Sequence, residues 1–310
     1  LTPFPHHGPL DPGQLPANVE LVDDLVQRVT ERRVTAVLGP RRFGKTTALR
    51  SVAERLSDAA VPIWLDLCAL ASWADFAIRL DRAISSVGGR ASSVFGAIAA
   101  GLQLQLGVLG VEFRKPVAQR PDAMLTVHAQ FDLLVAASAI QPVVLIVDEF
   151  SGIVGVDGAA AMMRTALQHH FQEIGLLFAG SEPSTMQMLF TDRAEPFYAQ
   201  ADLVEAPSLS LEAVERIVRD GFEGSGRAAG PIAGHIWSFT QGHPHRMMEL
   251  ADAVWRQVEP GGVLGLDGAR VVGAVRQQHD RLLGRGVRAQ HRQREPQRVA
   301  DRGGASRHAD

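Results

Sequence analysis

Apolar positions recur along this chain in two rhythms. Over residues 19–31, Val19, Val22, Leu25, Val26 and Val29 share one helical face, and over 45–57 Ala48, Leu49, Val52, Ala53 and Leu56 do the same. Short continuous apolar runs at 34–38, 61–67, 143–147 and 174–180 read as strands. The run at 143–147 is mostly β-branched, as a parallel strand covered on both faces requires. Helical patterns over 73–87, 122–139 and 158–173 separate the strands, a short helix is expected after Pro183, and 202–206 reads as the last strand. From Ser210 onward the pattern predicts helices alone, over 210–222, 231–240, 243–257 and 266–283. Alternating strands and helices followed by helices alone predict an α/β domain, then a smaller helical one. The expected divisions are an irregular leader over 1–17, an α/β core over 18–207, a helical domain over 208–284 and an Arg-rich disordered tail over 285–310.

One stretch departs from this alternation. Residues 91–111 carry no charge and are long enough to cross a bilayer. Glycines, serines and glutamines break the run, and Leu102, Leu104 and Leu106 alternate with Gln103 and Gln105. The alternation predicts a half-buried strand, a Gly-flanked turn and a second strand through Phe113. A Gly-rich hairpin inserted over about 88–116 is therefore expected, and no membrane partner.

Composition narrows the class. With 46% apolar and 21% charged residues the chain is globular, and a net charge of −3 excludes a whole-chain basic nucleic-acid binder, though not a local patch. A single cysteine, Cys68, allows no intrachain disulfide and no cysteine zinc cage, and fits a reducing cytoplasm. No apolar h-region marks a secretory signal in residues 1–16. The pairs His6-His7 and His169-His170 are adjacent rather than four apart, so neither predicts a metal site. The tail from Gly284 holds seven arginines against three carboxylates, which reads as a solvated tail or as a contact for an acidic partner or nucleic acid. Of 31 cationic residues only Lys45 and Lys115 are lysines, so a lysine kept at one place suggests a need for a compact ammonium.

Lys45 stands in such a place. Gly39-Pro40-Arg41-Arg42-Phe43-Gly44-Lys45-Thr46 matches the spacing of a phosphate-binding loop, between an apolar strand and an amphipathic helix. Gly39 and Gly44 allow the tight turn that aims successive N–H groups inward at an anion, and the helix beginning at Lys45 points its positive end there. In this motif Lys45 reaches the β- and γ-phosphates of a nucleotide, Thr46 offers a hydroxyl to Mg²⁺, and Thr47 is placed for the α-phosphate. Arg41 and Arg42 at the loop tip meet phosphate, a partner chain or solvent. The strand at 143–147 ends in Asp148 and Glu149, at the sheet edge where ligands of open α/β sheets bind. Asp148 suits Mg²⁺ and Glu149 can polarise an attacking water. The strand at 174–180 ends in Ser181, either a γ-phosphate or water contact if it lies beside the first strand, or a helix N-cap or turn serine.

These residues, with Met186, Leu189-Phe190, Pro196-Phe197-Tyr198 and Gly242-His243-Pro244, resemble the archaeal-type ATPases, relatives of the AAA+ and STAND ATPases, over about residues 19–257. The resemblance implies an ASCE-type P-loop fold, a parallel sheet flanked by helices with a small helical lid domain, and ATP with Mg²⁺ as ligands. It implies Glu149 as the water-activating base, Ser181 as the γ-phosphate sensor, and Arg193 at a position where related ATPases carry an arginine finger for a neighbouring subunit. Pro244 and Arg246 then stand where the lid touches nucleotide, with His245 as a competitor, although a Gly-x-Pro turn opening a helix accounts for the same residues. Where relatives carry Gly-Arg-Glu before the first helix, this chain reads Ala17-Asn18-Val19-Glu20. The function expected is a Mg-dependent ATPase switching a partner, in the cytoplasm, with further copies of the chain and a protein client as its candidate partners. The alternatives are a STAND-like nucleotide-gated module with little turnover, a DNA-associated loader, and a small-molecule kinase, against which the carboxylate pair and the lid lean.

Overall fold

The computed structural model describes residues 2–6 and 19–259, with positions 261 and 277. These fall into two compact units, one within His7–Ser208 and one combining residues of Leu1–His6 with those of Leu209–Asp310. The expected helix over 266–283 and the tail over 285–310 lie outside the described residues, apart from position 277.

The first unit begins with helix α1 (Val19–Thr30), strand β1 (Thr35–Leu38), helix α2 (Lys45–Leu56) and strand β2 (Val61–Asp66). Helices α3 (Trp73–Ser85), α4 (Gly89–Gly101), α5 (Leu109–Glu112) and α6 (Ala123–Ser138) precede strand β3 (Val143–Asp148). Helix α7 (Ala159–Leu167), strand β4 (Ile174–Gly180), helix α8 (Pro183–Thr191) and strand β5 (Asp202–Glu205) complete it. The strands form one parallel sheet in the order β2-β3-β4-β1-β5, the α/β architecture expected.

Residues 143–147 divide by parity. Val144 and Ile146 join a core with Leu25, Leu49 and Val52 of α1 and α2, while Val143, Leu145 and Val147 join one with Phe76 of α3 and Phe131 of α6. A continuous apolar strand is thus required because both faces are covered. Phe178 of β4 lies in a cluster with Phe150, Phe190 and Phe197, the closest pair of rings 4.5 Å apart between Phe150 and Phe178. Burying a Phe contributes about 1.5–3 kcal/mol, and this cluster fixes the backbone just after Glu149.

The hairpin expected over 88–116 does not form. Residues 89–101 are helical, with Phe95 and Ala99 buried four apart on one face, followed by short α5 and a 3-10 turn over Val117–Gln119. Leu104 and Leu106 pack on the core from an unpaired stretch, so their alternation reflects packing without a neighbouring strand. The buried carboxylate of Asp81 accepts the N–H groups of Gly107 and Leu109, which turns the chain there. Among the described residues no helix is long and apolar enough to cross a membrane.

The second unit contains helices α9 (Leu211–Glu223), α10 (Ile232–Thr240) and α11 (Pro244–Trp255). The leader expected to be irregular contributes here: Phe4 is fully buried, 5.7 Å from the Phe222 ring, and Thr2 donates its hydroxyl to Asp252. Position 1 and residues 7–17 of that leader lie outside the described residues.

Candidate functional site

The C-terminal ends of β3, β4 and β1 lie side by side. Leu38 is in register with Gly180, and Val147 with Phe178. The sheet therefore carries the loop after Leu38, the Asp148-Glu149 pair and Ser181 on one edge, the ligand edge of open α/β sheets. Ser181 thus lies beside the first strand, the condition on which its candidate role depended.

Gly44 sits at φ +79, a left-handed conformation that leaves the N-terminus of α2 without any side-chain cap. An uncapped helix start at the end of a turn is an anion-binding arrangement, since its first N–H groups and the dipole both face outward. Lys45 is 4% exposed and its ammonium donates to the carbonyls of Gly39 at 2.6 Å and Pro40 at 2.8 Å. Burial lowers its pKa and Arg41 lowers it further, against Glu149 and Asp148, which raise it. Pro40, Arg41, Arg42 and Gly44 are exposed around this buried cation, and Phe43 is half-buried against the core formed by α1 and α2.

Thr46 donates its hydroxyl to Oδ2 of Asp148 at 2.8 Å. The other carboxylate oxygen, Oδ1, accepts the N–H of Glu149 at 3.0 Å. Asp148 is buried, and that burial raises its pKa, an effect to which Glu149 and Asp66 add and which the two hydrogen bonds oppose. Thr47 is half-buried one residue further along α2, and its carbonyl accepts the Ser51 hydroxyl at 3.2 Å. Glu149 adopts φ +51, which turns its side chain away from the strand direction, toward β4. There Ser181 donates its N–H to Oε2 at 3.1 Å and its hydroxyl to Oε1. Glu182, not Ser181, occupies the N-cap position of α8, so the N-cap alternative for Ser181 does not hold.

The remaining candidates lie after β4 and on α11. Arg193 is exposed just beyond α8 and makes no ion pair with another described residue. Pro244 is the first residue of α11 and Arg246 is exposed two residues later, in the second unit. His245 lies 3.4 Å from the Glu249 carboxylate. The Gly242 carbonyl accepts the N–H of Leu209, and the Trp237 indole donates to the Leu209 carbonyl, so Gly242 and Trp237 together hold Leu209.

Asp66 was not singled out by the sequence. It ends β2 in register with Asp148, and a carboxylate closing the apolar run 61–67 was the available signal.

Comparison with solved structures bears on this arrangement. The chain is similar to the Walker-type ATPase of Pyrococcus abyssi, with TM-score 0.67 and 16% identity, over 95% of this chain and 81% of that one. The chain has the fold of a P-loop ATPase. The Orc1 protein of Aeropyrum pernix, solved in complex with DNA, matches this P-loop ATPase fold at TM-score 0.54 and 12% identity, over 86% of this chain and 66% of that one. No family model and no curated protein sequence matches the chain.

Proposed function

We propose that this chain binds ATP with Mg²⁺ at the phosphate loop and hydrolyses it, and that turnover switches the second unit between states that act on a partner. The observation that carries the reading is the 2.8 Å contact between Thr46 and Asp148. A chance match to the loop pattern gives no reason for that hydroxyl to meet a strand-end carboxylate 102 residues away.

The pair fits Mg²⁺, because a hydroxyl and a carboxylate side by side are the hard oxygen donors this ion prefers. Bound there with the nucleotide, Mg²⁺ would neutralise charge on the β- and γ-phosphates. Gly39 and residues 41–44 offer backbone N–H groups to the phosphates, and the uncapped N–H groups of α2 extend that cradle. Lys45 carries a desolvated cation, with Arg41 near it, so an incoming triphosphate meets positive charge in a low dielectric. Glu149 takes a proton from the attacking water as general base. Ser181 orients that carboxylate and serves as the γ-phosphate sensor. Arg193, exposed beyond α8, serves a neighbouring copy as a finger, and Pro244 with Arg246 reports nucleotide state to the second unit.

A second reading is a nucleotide-gated module with little turnover. The double hold of Ser181 on both oxygens of Glu149 favours it, since the two bonds occupy two of the roughly four lone pairs through which the carboxylate would take a proton from water and restrain its approach to one. Phosphate release from ATP, measured on wild type and Glu149→Gln of known oligomeric state, with and without DNA, tests both readings. Turnover lost in Glu149→Gln supports the first, a tightly held ADP with negligible turnover supports the second, and equal turnover in both proteins contradicts the role of Glu149.

A further inference from the structure

Asp66 is a third carboxylate at the ligand edge of the sheet, beside Asp148 and Glu149, and the chemistry proposed above does not use it. It ends β2 in register with Asp148 of β3, as Trp64 is in register with Ile146. Trp64 and Ile146 both pack toward Ala48, Leu49 and Val52 of α2, whereas Ile63, Leu65, Leu145 and Val147 join the opposite core. Side chains alternate along a strand, so Asp66 and Asp148, each two residues further on, share the face that α2 covers.

Helix α2 sets the level along that face. The Arg50 guanidinium lies 5.9 Å from the centre of the Trp64 ring, and Thr46 stands one turn earlier on the same side of the helix. Four helical residues advance about 6 Å and two strand residues about 6.6 Å, which brings Thr46 level with Asp66 and Asp148. The 2.8 Å bond from Thr46 to Asp148 agrees with that spacing. Neighbouring strands lie about 4.8 Å apart, so Asp66 stands one strand spacing from the Thr46–Asp148 pair. Asp66 is exposed, its Oδ1 accepts the N–H of Cys68 at 2.7 Å, and it makes no ion pair with another described residue. Arg79 donates to the carbonyls of Asp66 and Cys68, but its charge is met by Asp75.

The edge thus gathers Asp66, Asp148 and Glu149 against the cations of Lys45 and Arg41. A triphosphate adds more negative charge, and a divalent cation relieves the excess. Among the described residues no three His, Cys, Asp or Glu side chains are grouped to hold a metal ion directly. Mg²⁺ keeps several of its waters when bound, and each water is a hydrogen-bond donor. On the nucleotide reading given above, we propose that Asp66 is a positioning residue for the cation: its carboxylate accepts a hydrogen bond from a water of the Mg²⁺ held at Thr46 and Asp148, and so makes nucleotide binding depend on that ion. Without the ion the same charge repels the phosphates.

The test is calorimetric titration of ADP into the full chain, in EDTA and across a series of Mg²⁺ concentrations. Asp66→Asn keeps an oxygen for the Cys68 N–H and removes the charge. In this variant the Mg²⁺ concentration that gives half of the gain in ADP affinity is expected to rise about tenfold, the scale of a partner that acts on a metal through its ligands. ADP affinity in EDTA is expected to stay the same or to increase. Asp66→Ser, whose hydroxyl can form the same turn, carries the same expectation and replaces the Asn variant should that one not fold. An unchanged Mg²⁺ dependence overturns the proposal. An equal loss of affinity with and without Mg²⁺ also overturns it, since that is the mark of a residue that only shapes the turn. A wild-type chain that gives no ADP heat in either buffer overturns the nucleotide reading itself, and the role of Asp66 with it.

Discussion

Ser181 donates to both oxygens of the Glu149 carboxylate, one bond from its backbone N–H and one from its hydroxyl. The two residues end neighbouring strands, and the left-handed turn at Glu149 brings its side chain across to β4. A base held in this way is oriented before substrate arrives. Ser181→Ala keeps the backbone bond and removes the other. Its kcat for ATP is expected to fall about 10- to 100-fold, the scale of a misplaced catalytic group, with little change in KM. A rise in kcat would instead favour the low-turnover reading, in which the same hydroxyl restrains Glu149.

Glu149→Gln removes the proton acceptor and keeps the shape. Nucleotide binding is expected to persist while turnover drops about 10²- to 10⁴-fold. Single-turnover phosphate release with binding measured in parallel checks this split.

The turn after Glu149 depends on one close approach. A Cβ on Gly152 would lie 1.9 Å from the Leu67 carbonyl oxygen. The turn leading to α7 thus rests directly on the loop after β2. Gly152→Ala must push backbone from backbone, and a loss of at least about 1–3 kcal/mol is expected. Denaturant unfolding measures it, and an unchanged midpoint contradicts this packing.

The second unit should respond to acid through His243. Burial lowers the pKa of this imidazole, with help from Arg246 and His245 and against Glu249. The unfolded chain therefore takes up the proton more readily than the folded one. The stability from neutral His243 is present above its ordinary value of about 6.5 and is lost as pH falls below that. Melting temperature should decline over that window in wild type and decline less in His243→Gln.

The parallel sheet was legible in the apolar runs because each is covered on both faces, as Val144 and Leu145 show by packing into different cores. The loop from Gly39 to Thr46 and the Asp148-Glu149 pair were legible because their chemistry allows few residue types. The insertion was misread because Leu102, Leu104 and Leu106 have the period of a strand, whereas the helix before them draws on small residues and two buried positions, Phe95 and Ala99. Phe4 was missed because a lone aromatic in a Pro- and Gly-rich segment has no periodicity to expose its burial. The bond from Ser181 to Glu149 could not be read, since it depends on strand order rather than on spacing along the chain.

In the proposed function, the loop around Gly44, with Lys45 beside it, grips a triphosphate. Calorimetric titration of ATP and ADP into the folded full chain in magnesium buffer tests it most directly. Saturable heat in wild type that disappears in Lys45→Ala is the predicted result. A folded wild-type protein that gives no heat with either nucleotide would contradict it.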